Sequence, residues 1–123
     1  MLDTWLEQLR RGGLDLAILA SLSSGPRYGL SVIQYLESLT DLVVTEGTIY
    51  PILGRLTRDG LLAATWVADE SPHPRKYYRL TTVGEARLTA MTAEWRAFSR
   101  KIDRLLDAAR KAQGAGDDPQ QER

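Results

Sequence analysis

Two short stretches hold the side chains whose types and spacing suit the binding of a polyanion. In Gly47-Thr48-Ile49-Tyr50-Pro51-Ile52-Leu53-Gly54-Arg55, a hydroxyl, a phenol and a guanidinium alternate with apolar residues at helical spacing. A hydroxyl donates to or accepts from a base edge, and Arg clamps guanine or phosphate through paired N–H groups. The plainer reading is that Tyr50-Pro51 only caps and packs a helix start. In the second stretch, Arg75 and Lys76 follow Pro72-His73-Pro74 directly. Adjacent cations beside a hairpin tip suit phosphate or a narrow minor groove, against the alternative of an ordinary solvated pair.

Other chemistries are poorly supplied. There is no cysteine, which excludes disulfides, thiol nucleophiles and Cys-based metal sites, and one histidine, His73, cannot build a metal centre. No nucleophile–base pair, phosphate loop or functionally spaced carboxylate pair is visible, so we expect no enzyme, no cofactor and no metal. His73 reads as structural.

The 123 residues, 43% hydrophobic and 26% charged, fit one small globular domain with no room for two. Sixteen basic residues balance sixteen acidic ones, so a nucleic-acid surface must arise by local clustering. No apolar run approaches the ~20 residues of a membrane span, and MLDTWLEQLRR lacks a signal-peptide core and cleavage site. We therefore expect a soluble cytoplasmic protein without membrane contact.

The elements that must position these residues follow from periodicity. Leu2, Trp5, Leu6 and Leu9 mark a short amphipathic helix to Arg11, which Gly12 and Gly13 are expected to interrupt. Leu14 to Ser24 reads as a central buried helix. Pro26 suits the first turn of a second core helix reaching Leu39, with Leu30, Ile33 and Leu36 inward. A third runs from Glu46, after a Thr45 N-cap, to Asp59, with Ile49, Ile52, Leu53 and Leu56 inward, slight distortion at Pro51, and Gly60 as the C′ residue. Leu62 to Ala68 and Arg75 to Leu80 then form a hairpin with a long mobile tip whose Asp69-Glu70 pair is solvated.

A final helix begins at Thr81 or Thr82, with Glu85 placed to complete a capping box on Thr82, and runs to about Ala112. Leu88, Met91, Trp95, Phe98, Ile102, Leu105 and Ala109 are spaced 3,4,3,4,3,4, the seam of a helix that pairs along its whole length. Nothing else in so short a chain is large enough to cover that seam, which points to a homodimer. Residues 113–123 read as a disordered tail.

The fold class is thus mainly α with a small β hairpin, a winged helix-turn-helix plus a long C-terminal dimerisation helix. Residues 1–81 hold the N-terminal helix and DNA-binding domain, and 82–112 the dimerisation helix. Helix, helix, helix, hairpin is the winged-helix order, in which the third helix enters a major groove and the wing lies beside it.

GTIYPILGRLTRDGLL at Gly47 to Leu62, Trp66, then PRKYYRLT at Pro74 to Thr81 and Gly84, resembles the signature of the PadR family of bacterial transcriptional regulators. The resemblance covers roughly residues 14 to 110. It departs at Thr57, where the family usually carries Glu, and at His73-Pro74, where Pro-Pro is usual. It implies a homodimeric repressor on a palindromic double-stranded operator, with Tyr28, Gly47, Thr48, Tyr50, Arg55, Arg75 and Lys76 toward DNA and Arg27 as a further phosphate donor. Leu88, Met91, Trp95, Phe98, Ile102 and Leu105 would form the dimer seam.

A branch of that family senses flat aromatic drugs with a Trp at a comparable place. The resemblance therefore implies a small aromatic ligand against Trp5, Met91, Trp95 and Ser99, although a filled core explains the same stripe. The alternative function is a winged-helix module that contacts another protein.

Overall fold

The computed structural model describes residues 2–68 and 73–116. The described chain divides into two compact units after Thr89. The expected tip residues Asp69 to Pro72, and the tail from 117 onward, lie outside the described residues.

The first helix, α1, is continuous from Leu2 to Ser21. Gly12 and Gly13 do not break it, contrary to expectation. A helical glycine costs about 1 kcal/mol against alanine but forces no break, and the turns beyond it are anchored by the buried Leu14, Ile18 and Leu19. The N-terminal half keeps its apolar stripe in solvent, with Trp5 56% exposed.

Pro26 does not open the second helix. It precedes a two-residue strand, β1 (Arg27–Tyr28), and helix α2 starts only at Gly29 and ends at Thr40. Tyr28 is extended, at φ −86° and ψ 165°. Its conformation follows from pairing across the fold, with Arg27 opposite Tyr78 and Tyr28 opposite Tyr77.

Helix α3 (Glu46–Arg58) runs unbroken through Pro51. Its end is a Schellman motif: Leu61 N–H donates to the Leu56 carbonyl at 3.0 Å, and Gly60 N–H to that of Thr57 at 3.1 Å. Gly60 sits at φ 78°, where a side chain would be strained.

Strands β2 (Leu62–Val67) and β3 (Arg75–Leu80) pair from Leu62 opposite Leu80 to Val67 opposite Arg75. The expected hairpin is therefore part of a three-stranded antiparallel sheet of order β1-β3-β2. Of the two tyrosines on β3, Tyr78 faces the core and Tyr77 lies at an intermediate depth. Ile18, Leu19, Val32, Ile49, Leu53 and Leu56 form the centre of that core.

Helix α4 runs from Thr82 to Gly116, so residues 113–116, expected in the tail, are helical. Thr81, not Thr82, caps it. The Thr81 hydroxyl accepts from Gly84 N–H at 3.0 Å and donates to the Gly60 carbonyl at 2.7 Å, tying the start of α4 to the turn after α3. The third helical position is then Gly84, and the box expected from Glu85 has no cap to answer.

Gly84 is packed so closely that an added Cβ would overlap the Leu61 carbonyl oxygen. We predict that Gly84→Ala lowers stability by about 2 kcal/mol, since backbone cannot yield as a side-chain tip can. Urea unfolding with an unchanged m-value measures it; a loss below 0.5 kcal/mol, in the range of a neutral surface change, would contradict the close packing.

Candidate nucleic-acid interface

Burial divides α3 into faces. Ile49, Leu53 and Leu56 point into the core, while Gly47, Pro51, Gly54 and Arg58 follow the same helical period on the opposite side. Arg58, which the sequence reading passed over, is exposed on this outer face, with Nη1 4.0 Å from where a Gly54 Cβ would stand. Its signal was the spacing of four from Gly54 and seven from Pro51.

The residues singled out from sequence fall on two edges of α3. Tyr28, Tyr50, Arg75 and Lys76 come together around one cleft of about 440 Å³ between α3 and the sheet. The Arg75 guanidinium lies over the Tyr28 ring, 4.4 Å from its centroid, and Tyr28 meets Tyr77 edge-to-face at 5.4 Å. The Lys76 ammonium stands 5.8 Å from the ring centres of both Trp66 and Tyr78. These rings help to orient the two cations through contact with their aromatic faces.

Trp66, 66% exposed, lines the same cleft and had been noted only as part of a motif. Tyr50 packs its ring on Gly29, where any side chain would strike the phenol. Burial pushes the Tyr78 phenol above its ordinary range, with Tyr50 adding to the shift, so Tyr78 remains a neutral donor.

Gly47, Thr48 and Arg55 line a different cleft, about 460 Å³, on the α1 side of α3, together with Arg10, Arg11 and Asp15. The Thr45 side chain does not cap α3 as expected; its hydroxyl donates to that of Thr48 at 3.2 Å. Arg55 is not an open cation. Its Nη2 and Nη1 donate to the two carboxylate oxygens of Asp15 at 2.8 and 3.0 Å. That hydrogen-bonded pair, and the Asp15 charge itself, raise the Arg55 pKa against a small opposing effect of burial, so it is cationic at any working pH. Arg27 is likewise engaged, donating to the Ser21 carbonyl at 2.8 Å with its guanidinium stacked on Tyr35.

An outward helix with a cation-bearing sheet at its flank is the geometry of a groove-reading winged helix. The model of the transcriptional regulator PadR-like family matches residues 18–90, more than half of the sequence. The chain belongs to the PadR-like family. A PadR family transcriptional regulator from Eggerthella lenta is 32% identical and superposes with a TM-score of 0.76, over 85% of this chain and 91% of that one. A PadR-like transcription factor from Bacteroides fragilis is 37% identical with a TM-score of 0.71, over 83% and 98%. An uncharacterised protein of Lysinibacillus sphaericus is 30% identical across 79% of this chain and 91% of its own length.

PadR-like proteins are DNA-binding transcriptional regulators and not enzymes, which fits the residue chemistry of both clefts. Among the described residues no group of His, Cys, Asp and Glu could hold a metal ion, and no helix is long and apolar enough to cross a membrane.

Within α4, the seam expected from sequence carries Leu88 and Met91 half-buried, Ile102 at the margin of exposure, and Trp95, Phe98 and Leu105 exposed. Leu106 is exposed as well. Ser99 is half-buried beside this stripe.

Proposed function

We propose that this PadR-like regulator is a homodimeric repressor that places each α3 in a major groove of a palindromic operator and each sheet edge against the flanking phosphates. The observation that carries this reading is the convergence of Tyr28, Tyr50, Arg75 and Lys76 on one cleft beside the outward face of α3. The exposed apolar stripes of α1 and α4 support the dimer, since a second copy would remove both from water.

Thr48, exposed near the start of α3, is the residue proposed for base readout, with Gly47 allowing close approach of the backbone. Thr48→Ala is expected to change which operator positions are preferred, by about 1–3 kcal/mol at the contacted base pair, while leaving binding to random duplex unaltered. Binding-site selection from a randomised operator library reads this out. Identical preferences for the variant and wild type would remove Thr48 from the readout. A salt titration separates this reading from a protein-interaction module, because only phosphate contacts give a steep linear dependence on log salt concentration.

Release by a small aromatic effector rests on Trp95, 46% exposed on the α4 stripe with Met91 and Ser99 nearby in the helix period and Trp5 on the α1 stripe. Flat dyes are expected to quench the emission of wild type and to spare Trp95→Ala, whose remaining tryptophans are Trp5 and Trp66. A panel that treats the two proteins alike would make the stripe packing alone. A tenfold effect on operator affinity needs about 1.4 kcal/mol of preference for the form that does not bind DNA.

A further inference from the structure

Arg55 and Thr48 lie seven residues apart, so they share one edge of α3, about 10 Å apart along its axis. On that edge Arg55 carries a permanent charge, yet both its outer nitrogens are spent on Asp15 of α1, forty residues away in sequence. The two-point geometry, with parallel N–H groups on paired oxygens, is the one a DNA phosphate would offer. Both side chains are partly open to solvent, at 45% and 27% exposure, and a phosphate can therefore contest the pair. The two-point geometry makes this one of the stronger partly exposed ion pairs, so the carboxylate is an effective competitor for the guanidinium. The cations on the other edge, Arg75 and Lys76, stand on the rings of Tyr28 and Trp66.

We propose that Asp15 is a positioning residue that withholds Arg55 from the DNA backbone and so limits sequence-independent binding by this face. The Asp15 carboxylate occupies the guanidinium in the place of a phosphate, and the α1 edge of α3 is left to read bases through Thr48. Loss of the carboxylate frees one further cation per protomer for phosphate. The inference rests on the docking of α3 proposed above.

The test measures binding of full-length protein to a random-sequence duplex across a salt series. Asp15→Asn, which keeps the side-chain volume, is expected to tighten binding roughly five- to tenfold and to steepen the log–log salt slope by about 0.9 per protomer. In an Arg55→Ala background the same change is expected to do nothing. Arg55→Lys keeps the charge but cannot span both oxygens, so it should give a smaller gain of the same sign with Asp15 intact, and it preserves the test if Asp15→Asn folds poorly.

Unchanged or weaker binding by Asp15→Asn would overturn the proposal, as would an equal gain without Arg55, which would reflect only one negative charge fewer. If wild type binds duplex through Arg75 and Lys76 while the Asp15 variant changes nothing, only this inference falls. If wild type binds no duplex, the docking reading fails and takes the inference with it.

Discussion

Ile102→Asp is expected to convert a dimer into a folded monomer. Ile102 lies in the α4 stripe, between Phe98 and Leu105, and is 37% exposed within one protomer. At a two-fold seam the substitution places two carboxylates in the apolar interface, each without a partner, and burying an unpaired charge is expensive. We expect association to weaken by at least ~3 kcal/mol, over a hundredfold in dissociation constant. Sedimentation equilibrium at micromolar concentration gives the result. Operator affinity should fall with it, because one protomer alone holds only one half-site. Wild type that sediments as a monomer would overturn the proposed dimer outright.

Replacing Arg75 and Lys76 together by alanine should weaken DNA binding to about the same extent on every sequence. Each lost phosphate contact flattens the log–log salt slope by about 0.9, which makes roughly two units per protomer for the pair. For a dimer the combined loss is on the order of a hundredfold near physiological salt. Stability should change little. The ring contacts of Arg75 on Tyr28, both half-buried, and of Lys76 on Trp66, both exposed, contribute about 0.5–1 kcal/mol each. The contrast with Thr48→Ala carries the argument, since a phosphate contact holds the protein on DNA regardless of sequence whereas a base contact selects a sequence. Unchanged affinity in the double variant would remove the sheet edge from the interface.

Much of this architecture was legible before any coordinates. The helical spacing of Ile49, Ile52, Leu53 and Leu56 located α3, of which Ile49, Leu53 and Leu56 are buried and Ile52 half-buried, and Asp59-Gly60 announced the end that the Schellman bonds then close. The seven-residue rhythm from Leu88 to Leu105 revealed α4 and its apolar stripe. The cations of β3 and the aromatic pair beside them were visible as a string of letters. These features are local, because each depends on residues within one or two turns of one another, and so a linear pattern contains them.

What only the tertiary structure decided is of a different kind. Arg27 and Tyr28 became a strand because Tyr77 and Tyr78 lay alongside, so Pro26 could not start α2. Gly12 and Gly13 stayed helical because Leu14, Ile18 and Leu19 were held by the core, and burial of a helix face outweighs about 1 kcal/mol of glycine cost at each position. Arg55 looked like a groove clamp in the sequence and proved to be bound by Asp15, forty residues earlier. Tyr28, Tyr50, Arg75 and Lys76 converge only once β1 is added to the hairpin. Backbone pairing and ion pairing across the fold depend on distances that no local period encodes. Periodicity by itself located α3 and α4, and long-range contact decided where α1 and α2 run and which polar side chains are tied up by partners from elsewhere in the fold.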